Sequence, residues 1–307
     1  MRRWGLGRVV VQLGMIGSSP GNGHPYSFSA IFNGYDSGLT RSAGWDVVAN
    51  YLEKRPAKDF GIDGFSVSHV WSSIEGESER IAAAARIPTV AHSLEDMAES
   101  VDAVLIARDD PESHAVLAQP FLDAGLPVLI DKPLTVDAAE LDHFRRYLES
   151  GQLFSSSSMR FSPELNGLAT SGNSLVVSAS GPKDWRRYGV HLVEGVLPHI
   201  DVGRPVAIRR HFGGHESFSV ETSSGTVLHF DVCGDAPVGF QFHRISSDGA
   251  TSARITDNFS MFKRMLEAFC RQITSAQPAI DPADTTEAIE LVIAGHKCDP
   301  GEVVRLG

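Results

Sequence analysis

The chain has few cysteines, and those it has are far apart. Cys233, Cys270 and Cys298 are the only ones among 307 residues, and no two of them form a C-x-x-C pair. Cysteines that are few, odd in number and widely spaced indicate neither a zinc knuckle nor a disulfide scaffold, and they fit a reducing cytoplasm. We therefore expect a cytoplasmic protein with no metal site.

Basic charge and long apolar runs are also scarce. Acidic residues outnumber basic ones by 38 to 27, which leaves a net charge of −11. Nucleic acids and anionic membranes usually bind proteins with a basic excess, so neither is an expected partner. No apolar stretch approaches the ~18 residues of a membrane span. The N-terminal stretch is interrupted by Arg8 and Gln12, so we interpret Val9–Ile16 as a buried strand rather than an export signal.

The pattern that is present is that of a two-domain α/β protein. Short apolar runs alternate with helical stretches over the first 135 residues, which predicts a parallel sheet covered on both faces. The serine run at 155–158 is turn-rich, and further turn-rich segments alternate with strand-like runs after it, which predicts an antiparallel sheet. The expected strands are Val9–Ile16, Phe65–Trp71, Thr89–Ala91, Ala103–Ala107 and Val128–Ile130, then Leu175–Ser180, Val206–Phe212, Phe218–Glu221, Thr226–Val232 and Val238–Ile245.

The usual GxGxxG fingerprint of dinucleotide-binding proteins is absent, but a glycine-rich turn follows the first strand. Such a turn between a strand and a helix lets backbone N–H groups approach a pyrophosphate. A glycine-rich surface turn is the alternative interpretation. The residues of this turn that we expect to contact a cofactor are Gly17, Ser18, Ser19, Gly21, Asn22, Gly23 and His24.

The end of the second strand has no acidic residue. Trp71 and Ser72 stand where an NAD-preferring site usually places an aspartate or glutamate, and the next acid is Glu75. We therefore expect NAD(P) as the cofactor, with NADP slightly favoured.

Two later segments end strands of the predicted parallel sheet. Arg108, Asp109 and His114 follow the fourth strand, and Asp131 and Lys132 follow the fifth. Ligands of open α/β sheets bind at these carboxyl ends, so all five are candidate cofactor-binding residues. A lysine ammonium there can also stabilise a developing alkoxide, although a lysine that snorkels from a strand end is the plainer alternative.

Four motifs in sequence order are specific enough to indicate a family. The chain carries A-x-x-x-P-x-x-H at 107–114, D-K-P at 131–133, R-F-x-P at 160–163 and G-V-H at 189–191. In this order it resembles the glucose–fructose oxidoreductase and inositol 2-dehydrogenase (Gfo/Idh/MocA) family of NAD(P)-dependent oxidoreductases. The C-terminal sequence is similar as well, so the resemblance covers nearly the whole chain.

The resemblance implies an N-terminal Rossmann parallel sheet and a C-terminal open-faced antiparallel sheet, that is, α/β plus α+β. We assign 1–133 to the Rossmann domain and 134–283 to a substrate-binding and oligomerisation domain, with a helix at 284–298 that can pack back on the first. The implied activity is hydride transfer at a hydroxyl or keto carbon of a sugar, nucleotide sugar or cyclitol. The exposed sheet face needs covering, so we expect a homo-oligomer, either a dimer or a tetramer.

The resemblance also implies site residues. Lys132 and His191 match the family's catalytic pair, and Tyr188 lies one helical turn before His191. Arg187 stands where the family usually has an aspartate four residues before this histidine, and we expect Asp184 or Glu194 to substitute for it. The expected substrate-binding residues are Lys132, Arg160, Asp184, Arg187 and His191.

Two alternatives remain open on the sequence. His191 can be a surface histidine bonded to Glu194, and a metal site of His191, Glu194 and His199 meets no recognised ligand spacing. The fold can also be kept while redox turnover is altered or lost. That would give a lyase, an epimerase with tightly bound NAD, or a sugar-binding regulatory protein.

Overall fold

The computed structural model describes residues 10–168 and 173–307. Val9 of the predicted first strand lies outside the described residues. The chain forms two compact units. The first unit consists of the residues up to Asp131 together with Phe144–Ser155 and Leu266–Ile280. The second unit consists of Lys132–His143, Ser156–Met265 and Asp281–Gly307.

The first unit contains a sheet of six parallel strands in the order β3-β2-β1-β4-β5-β6. This is the strand order of dinucleotide-binding sheets, and it confirms the predicted parallel sheet. The strands Ala103–Ile106 and Val128–Ile130 are fully apolar, as expected of parallel strands that helices cover on both faces. The strands are β1 (Val11–Ile16), β2 (Phe65–Trp71), β3 (Thr89–Val90), β4 (Ala103–Ile106), β5 (Val128–Ile130) and β6 (Leu153–Phe154).

The helices of the N-terminal half follow the strands in alternation. The long connection between Asn33 and Gly64 contains two short helices, α2 and α3. Ser93 caps the helix that begins at Leu94, since its hydroxyl accepts a hydrogen bond from the backbone N–H of Asp96 at 3.1 Å. The helices are α1 (His24–Asn33), α2 (Ser37–Ser42), α3 (Asp46–Leu52), α4 (Glu77–Ala84), α5 (Leu94–Ser100), α6 (His114–Asp123) and α7 (Ala138–Glu149).

The second unit contains a seven-stranded sheet in the order β12-β11-β7-β10-β9-β8-β13. The prediction of an antiparallel sheet is wrong for one pair, because β7 and β10 run parallel. A parallel pair needs a crossover connection, and the helix α8 (Trp185–Val196) follows β7 before the chain returns to the sheet. The strands are β7 (Ser174–Gly181), β8 (Pro205–Arg210), β9 (Glu216–Thr222), β10 (Val227–Val232), β11 (Gln241–Ser246), β12 (Gly249–Arg254) and β13 (Val303–Arg305).

The C-terminal part adds α9 (Asn258–Ser275) and α10 (Pro282–Lys297). We expected the last helix to pack back on the Rossmann domain, but α10 lies in the second unit and packs against α8. Trp185 holds this contact: it is fully buried, and its indole N–H donates to the carbonyl of Val292 at 3.0 Å. Gly295 leaves the space that the indole fills.

Candidate active site

The glycine-rich turn lies between β1 and α1, at the carboxyl edge of the parallel sheet. Gly21 has a φ of 80° and open space on its Cβ side, so this position favours glycine. The helix α1 begins after Gly23, which has no side chain to cap it, and the backbone N–H of His24 donates to Asn22 Oδ1 at 2.8 Å. The turn therefore has the location that we predicted, beside the ends of β4 and β5.

Acidic side chains surround the turn, and each is held by hydrogen-bond donors. Ser18 donates to Glu77 at 3.1 Å, and Ser19 donates to Asp109 at 2.6 Å. His24 Nδ1 lies 2.5 Å from Asp131 Oδ2. The acids are thus engaged with residues of the turn itself, within the first unit.

Arg108 brings positive charge to the same edge. Its guanidinium donates to the Ser18 carbonyl at 2.6 Å and pairs with Asp110 at 2.7 Å. Burial raises the pKa of Asp110, but the hydrogen bonds and charge of Arg108 outweigh this effect, so the pKa lies below its usual value. Arg108 therefore offsets one of the two neighbouring acids.

The other predicted cofactor residues of the first unit lie at this edge too. The Trp71 carbonyl accepts from Gly17 N at 3.1 Å, and the Ser72 hydroxyl accepts from Ser18 N at 3.1 Å. His114 is fully buried, with its Nε2 2.9 Å from the Arg108 carbonyl. These hydrogen bonds fix the shape of the turn and its neighbouring loop.

The second unit brings the predicted catalytic residues together. The Lys132 ammonium lies 4.9 Å from the ring centroid of Tyr188. The ring of Tyr188 meets that of His191 at a centroid distance of 5.2 Å, and Phe240 packs against both. Lys132 and His191 are 3% and 6% exposed, so their polar ends lie in a largely dry environment. A charge that develops beside them would be stabilised more strongly than in water.

A serine that we did not predict contacts the imidazole. Ser157 Oγ lies 2.7 Å from His191 Nδ1. Glu194 accepts from the Ser157 backbone N–H at 2.6 Å and from the Ser156 hydroxyl at 2.5 Å. Burial raises the pKa of Glu194, against the lowering effect of Arg160. The serine run at 155–158 was the available signal, and we interpreted it only as a turn.

Three of the expected substrate-binding residues are engaged within the second unit. Asp184 caps α8 by accepting from Arg187 N at 3.0 Å, and the two side chains pair at 3.1 Å. Arg160 lies 3.1 Å from Asp284 and 3.8 Å from Glu194. Asp184 therefore does not contact His191 in the manner expected of a substitute for the family's aspartate. The roles of these residues in substrate binding remain predictions.

The described residues show neither a cluster of metal ligands nor a helix that could span a membrane. Residues 10–168 and 173–307 contain no group of three or more His, Cys, Asp or Glu side chains placed to hold a metal ion. No helix in the same ranges is both long and apolar enough to cross a bilayer.

Comparison with known proteins identifies the Rossmann part. Residues 46–156 match the family model for oxidoreductases with an NAD-binding Rossmann fold, Gfo/Idh/MocA. Residues 46–156 belong to this oxidoreductase family. The resemblance that the motifs indicated is thereby confirmed, and NAD binding is the property that the family model describes.

Curated relatives of this family match over part of their length. An inositol 2-dehydrogenase of Corynebacterium glutamicum strain R is 36% identical over 111 residues, which are 34% of this chain and 33% of that protein. One from Leifsonia xyli is 42% identical over 83 residues, 26% of this chain and 23% of that protein. The matched part thus spans at most a third of either relative.

Solved structures extend the similarity to both units. The myo-inositol dehydrogenase of Lactobacillus casei, solved with NAD(H) and myo-inositol, covers 97% of both chains with a TM-score of 0.72 and 14% identity. At this identity the match concerns the fold alone. It confirms the predicted combination of a Rossmann sheet with a second, mainly antiparallel sheet.

Proposed function

We propose that the chain is an NAD(P)-dependent oxidoreductase that transfers a hydride to or from a hydroxyl or keto carbon of a cyclitol or sugar. The grouping of Lys132, Tyr188 and His191 within the second unit supports this proposal. Lys132 and His191 occupy the D-K-P and G-V-H motifs, so residues far apart in sequence meet as the family resemblance requires. The inositol 2-dehydrogenases among the relatives favour a polyhydroxylated substrate.

The carboxyl edge of the first sheet fits a dinucleotide. The open turn at Gly21, the start of α1 and the guanidinium of Arg108 are groups that accommodate phosphates. The acids nearby are bound by donors of the turn, which reduces their repulsion of a diphosphate. Bound NAD(P) would accept the hydride in one direction and supply it in the other.

Lys132 and His191 handle the substrate oxygen and its proton in this proposal. The buried ammonium of Lys132 stabilises negative charge that develops on the oxygen, and its effect is enhanced by the low exposure of the site. His191 Nδ1 contacts Ser157, and we assign the exchange of a proton with the substrate to Nε2. Tyr188 packs beside both and keeps water away from them.

A screen of cyclitols and nucleotide sugars with NAD and NADP tests the activity. We expect Lys132→Ala to lower kcat by ~10²-fold or more with about unchanged coenzyme binding, because it acts on charge that develops in the transition state. We expect His191→Ala to lower turnover by ~10²–10⁴-fold. His229→Ala is the matched control, since His229 is an exposed histidine on β10 of the same unit.

Three results would count against the proposal. The first is the absence of NAD(P)-linked turnover with every polyol. The second is an active enzyme whose turnover neither Lys132→Ala nor His191→Ala lowers. The third is a purified protein whose absorbance spectrum shows tightly held coenzyme without net redox turnover, which would favour the lyase or epimerase alternative.

We also propose that NADP(H) binds more tightly than NAD(H). The end of β2 carries Trp71 and Ser72 without an acid, and Arg108 Nη1 reaches Ser73 Oγ at 3.3 Å. A nearby arginine accommodates the 2′-phosphate of NADP in related sites. Isothermal titration with both reduced coenzymes measures the preference, and equal or tighter binding of NADH would refute it.

Assembly into a dimer or tetramer is the third part of the proposal. Val176, Val227 and Ile245 are 38%, 36% and 45% exposed on the neighbouring strands β7, β10 and β11. Exposed apolar side chains on one sheet face favour an interface. Light scattering after size exclusion measures the mass. Ile245→Asp should shift an oligomer towards monomer, whereas a monomeric wild type would refute the assembly.

A further inference from the structure

The imidazole of His191 contacts a serine hydroxyl. Arg187 stands four residues before His191, so no acid at that position can hold the imidazole. Instead Ser157 Oγ lies 2.7 Å from Nδ1. Ser157 is fully buried and His191 is 6% exposed, so the bond is shielded from water. A hydroxyl differs from a carboxylate here because it can donate as well as accept.

The bonds of Ser157 determine which way its proton points. Ser157 is the N-cap of the short 3-10 turn Ser158–Phe161, and its Oγ accepts from the Met159 backbone N–H at 3.1 Å. One lone pair is therefore used, and the hydroxyl proton needs an acceptor. A buried donor left without one costs about 1–3 kcal/mol. His191 Nδ1 is the acceptor that the described contacts of Ser157 provide.

The serine is held in place by a side chain of the same helix. Glu194 follows His191 by three residues on α8, and it accepts from both the Ser157 N–H and the Ser156 hydroxyl. Residues three apart share a helix face, so the carboxylate fixes the serine segment directly against the imidazole. Glu194 acts on His191 through this segment rather than by direct contact.

We propose that Ser157 is the positioning residue of His191 and that it holds the neutral imidazole with its proton on Nε2. This tautomer follows because Ser157 donates to Nδ1, which must then be unprotonated. In this tautomer Nε2 of neutral His191 carries a proton, so the ring must change to the other tautomer before Nε2 can take a proton from the substrate. An aspartate, which only accepts when ionised, would favour the opposite tautomer.

The role of Nε2 towards the substrate rests on the proposed function, whereas the tautomer of His191 does not. Nuclear magnetic resonance of protein labelled with ¹⁵N-histidine measures the tautomer without turnover, and His191→Gln identifies the signals. We expect Nδ1 of neutral His191 to have the shift of an unprotonated nitrogen and Nε2 that of a protonated one. Ser157→Thr, which keeps the hydroxyl, should preserve this pattern.

Two further variants change the partner of Nδ1. Ser157→Ala should give a mixture of tautomers, and Ser157→Asp should move the proton to Nδ1.

The outcomes separate this inference from the proposed function. A wild-type protein with neutral His191 protonated on Nδ1 would overturn the positioning role, and so would a tautomer that Ser157→Ala leaves unchanged. The expected tautomer in a protein without redox turnover would support the positioning role and refute the proposed function. If Ser157→Ala does not fold, the wild-type and Ser157→Thr spectra still decide the tautomer.

Discussion

Gly295→Ala tests the packing that holds α8, the helix of His191, in place. A methyl group at Gly295 would overlap the Trp185 indole nitrogen and approach Ile208 Cδ1 to 2.9 Å. Trp185 is fully buried, and its N–H donates to the Val292 carbonyl at 3.0 Å. The indole therefore cannot withdraw without breaking that bond, and α8 and α10 must separate instead.

The expected magnitude follows from three effects. Overpacking a well-filled core costs about 1–3 kcal/mol, and a buried indole N–H that loses its acceptor costs about 1–3 kcal/mol. Alanine stabilises a helix interior by about 1 kcal/mol relative to glycine, which opposes them. We therefore expect a net loss of about 1–3 kcal/mol, since only part of the hydrogen bond is lost. At ~2–4 °C per kcal/mol, the Tm should fall by about 2–12 °C.

Calorimetry of Gly295→Ala and of a control variant, each against the wild type, measures the change in Tm. Gly167→Ala is the matched control, because its Cβ would meet no atom within 4 Å and its backbone is in the 3-10 turn Pro163–Leu168. Its Tm should stay the same or rise slightly. A Gly295→Ala protein as stable as the wild type would refute the close contact between α10 and Trp185.

Three other predictions concern stability and reactivity. Burial raises the pKa of Glu194, so the free energy of unfolding should fall as the pH rises from the unfolded pKa of about 4.3 through the folded pKa. Glu194→Gln should flatten this dependence in urea unfolding, and an equal dependence on pH in both proteins would contradict the prediction. Burial raises the pKa of the Cys270 thiol, so iodoacetamide should label the half-buried Cys233 first in the native protein, as mass spectrometry would show; equal labelling would speak against the described burial. Ser93→Ala removes the hydroxyl that caps Asp96 N and should lower the free energy of unfolding by about 1 kcal/mol; an unchanged urea midpoint would mean that the cap contributes nothing.

The sequence predicted the first sheet better than the second. The strands β4 and β5 are short apolar runs, so composition alone located them to within a residue. The parallel pairing of β7 and β10 depends on the crossover through α8, which no local pattern records. The edge strand β12, with the sequence GATSAR, has no apolar alternation, because only β11 pairs with it and its side chains are mostly exposed.

Only part of the candidate site could be predicted from the sequence, because the rest depends on contacts between distant segments. Motifs located Lys132 and His191, and helical spacing located Tyr188. The partner of His191 was expected among acids close to it in sequence, whereas Ser157 comes from a segment 34 residues earlier. Such a contact depends on tertiary structure, and a serine in a polar run carries no sign of it.

The segment Leu266–Ile280 completes the first unit although it is translated late. Gln272 is 2% exposed, and its amide donates to the carbonyls of Gly151 and Leu153 at 3.0 Å each, next to β6. About 150 residues separate the end of β5 from the end of this segment, so a ribosome adding ~5–20 residues per second would need roughly 8–30 s to supply it. During that interval the carbonyls of Gly151 and Leu153 lack the Gln272 amide that binds them in the folded unit. A recombinant Rossmann fragment would accordingly need 266–280 as well as the N-terminal strands in order to fold.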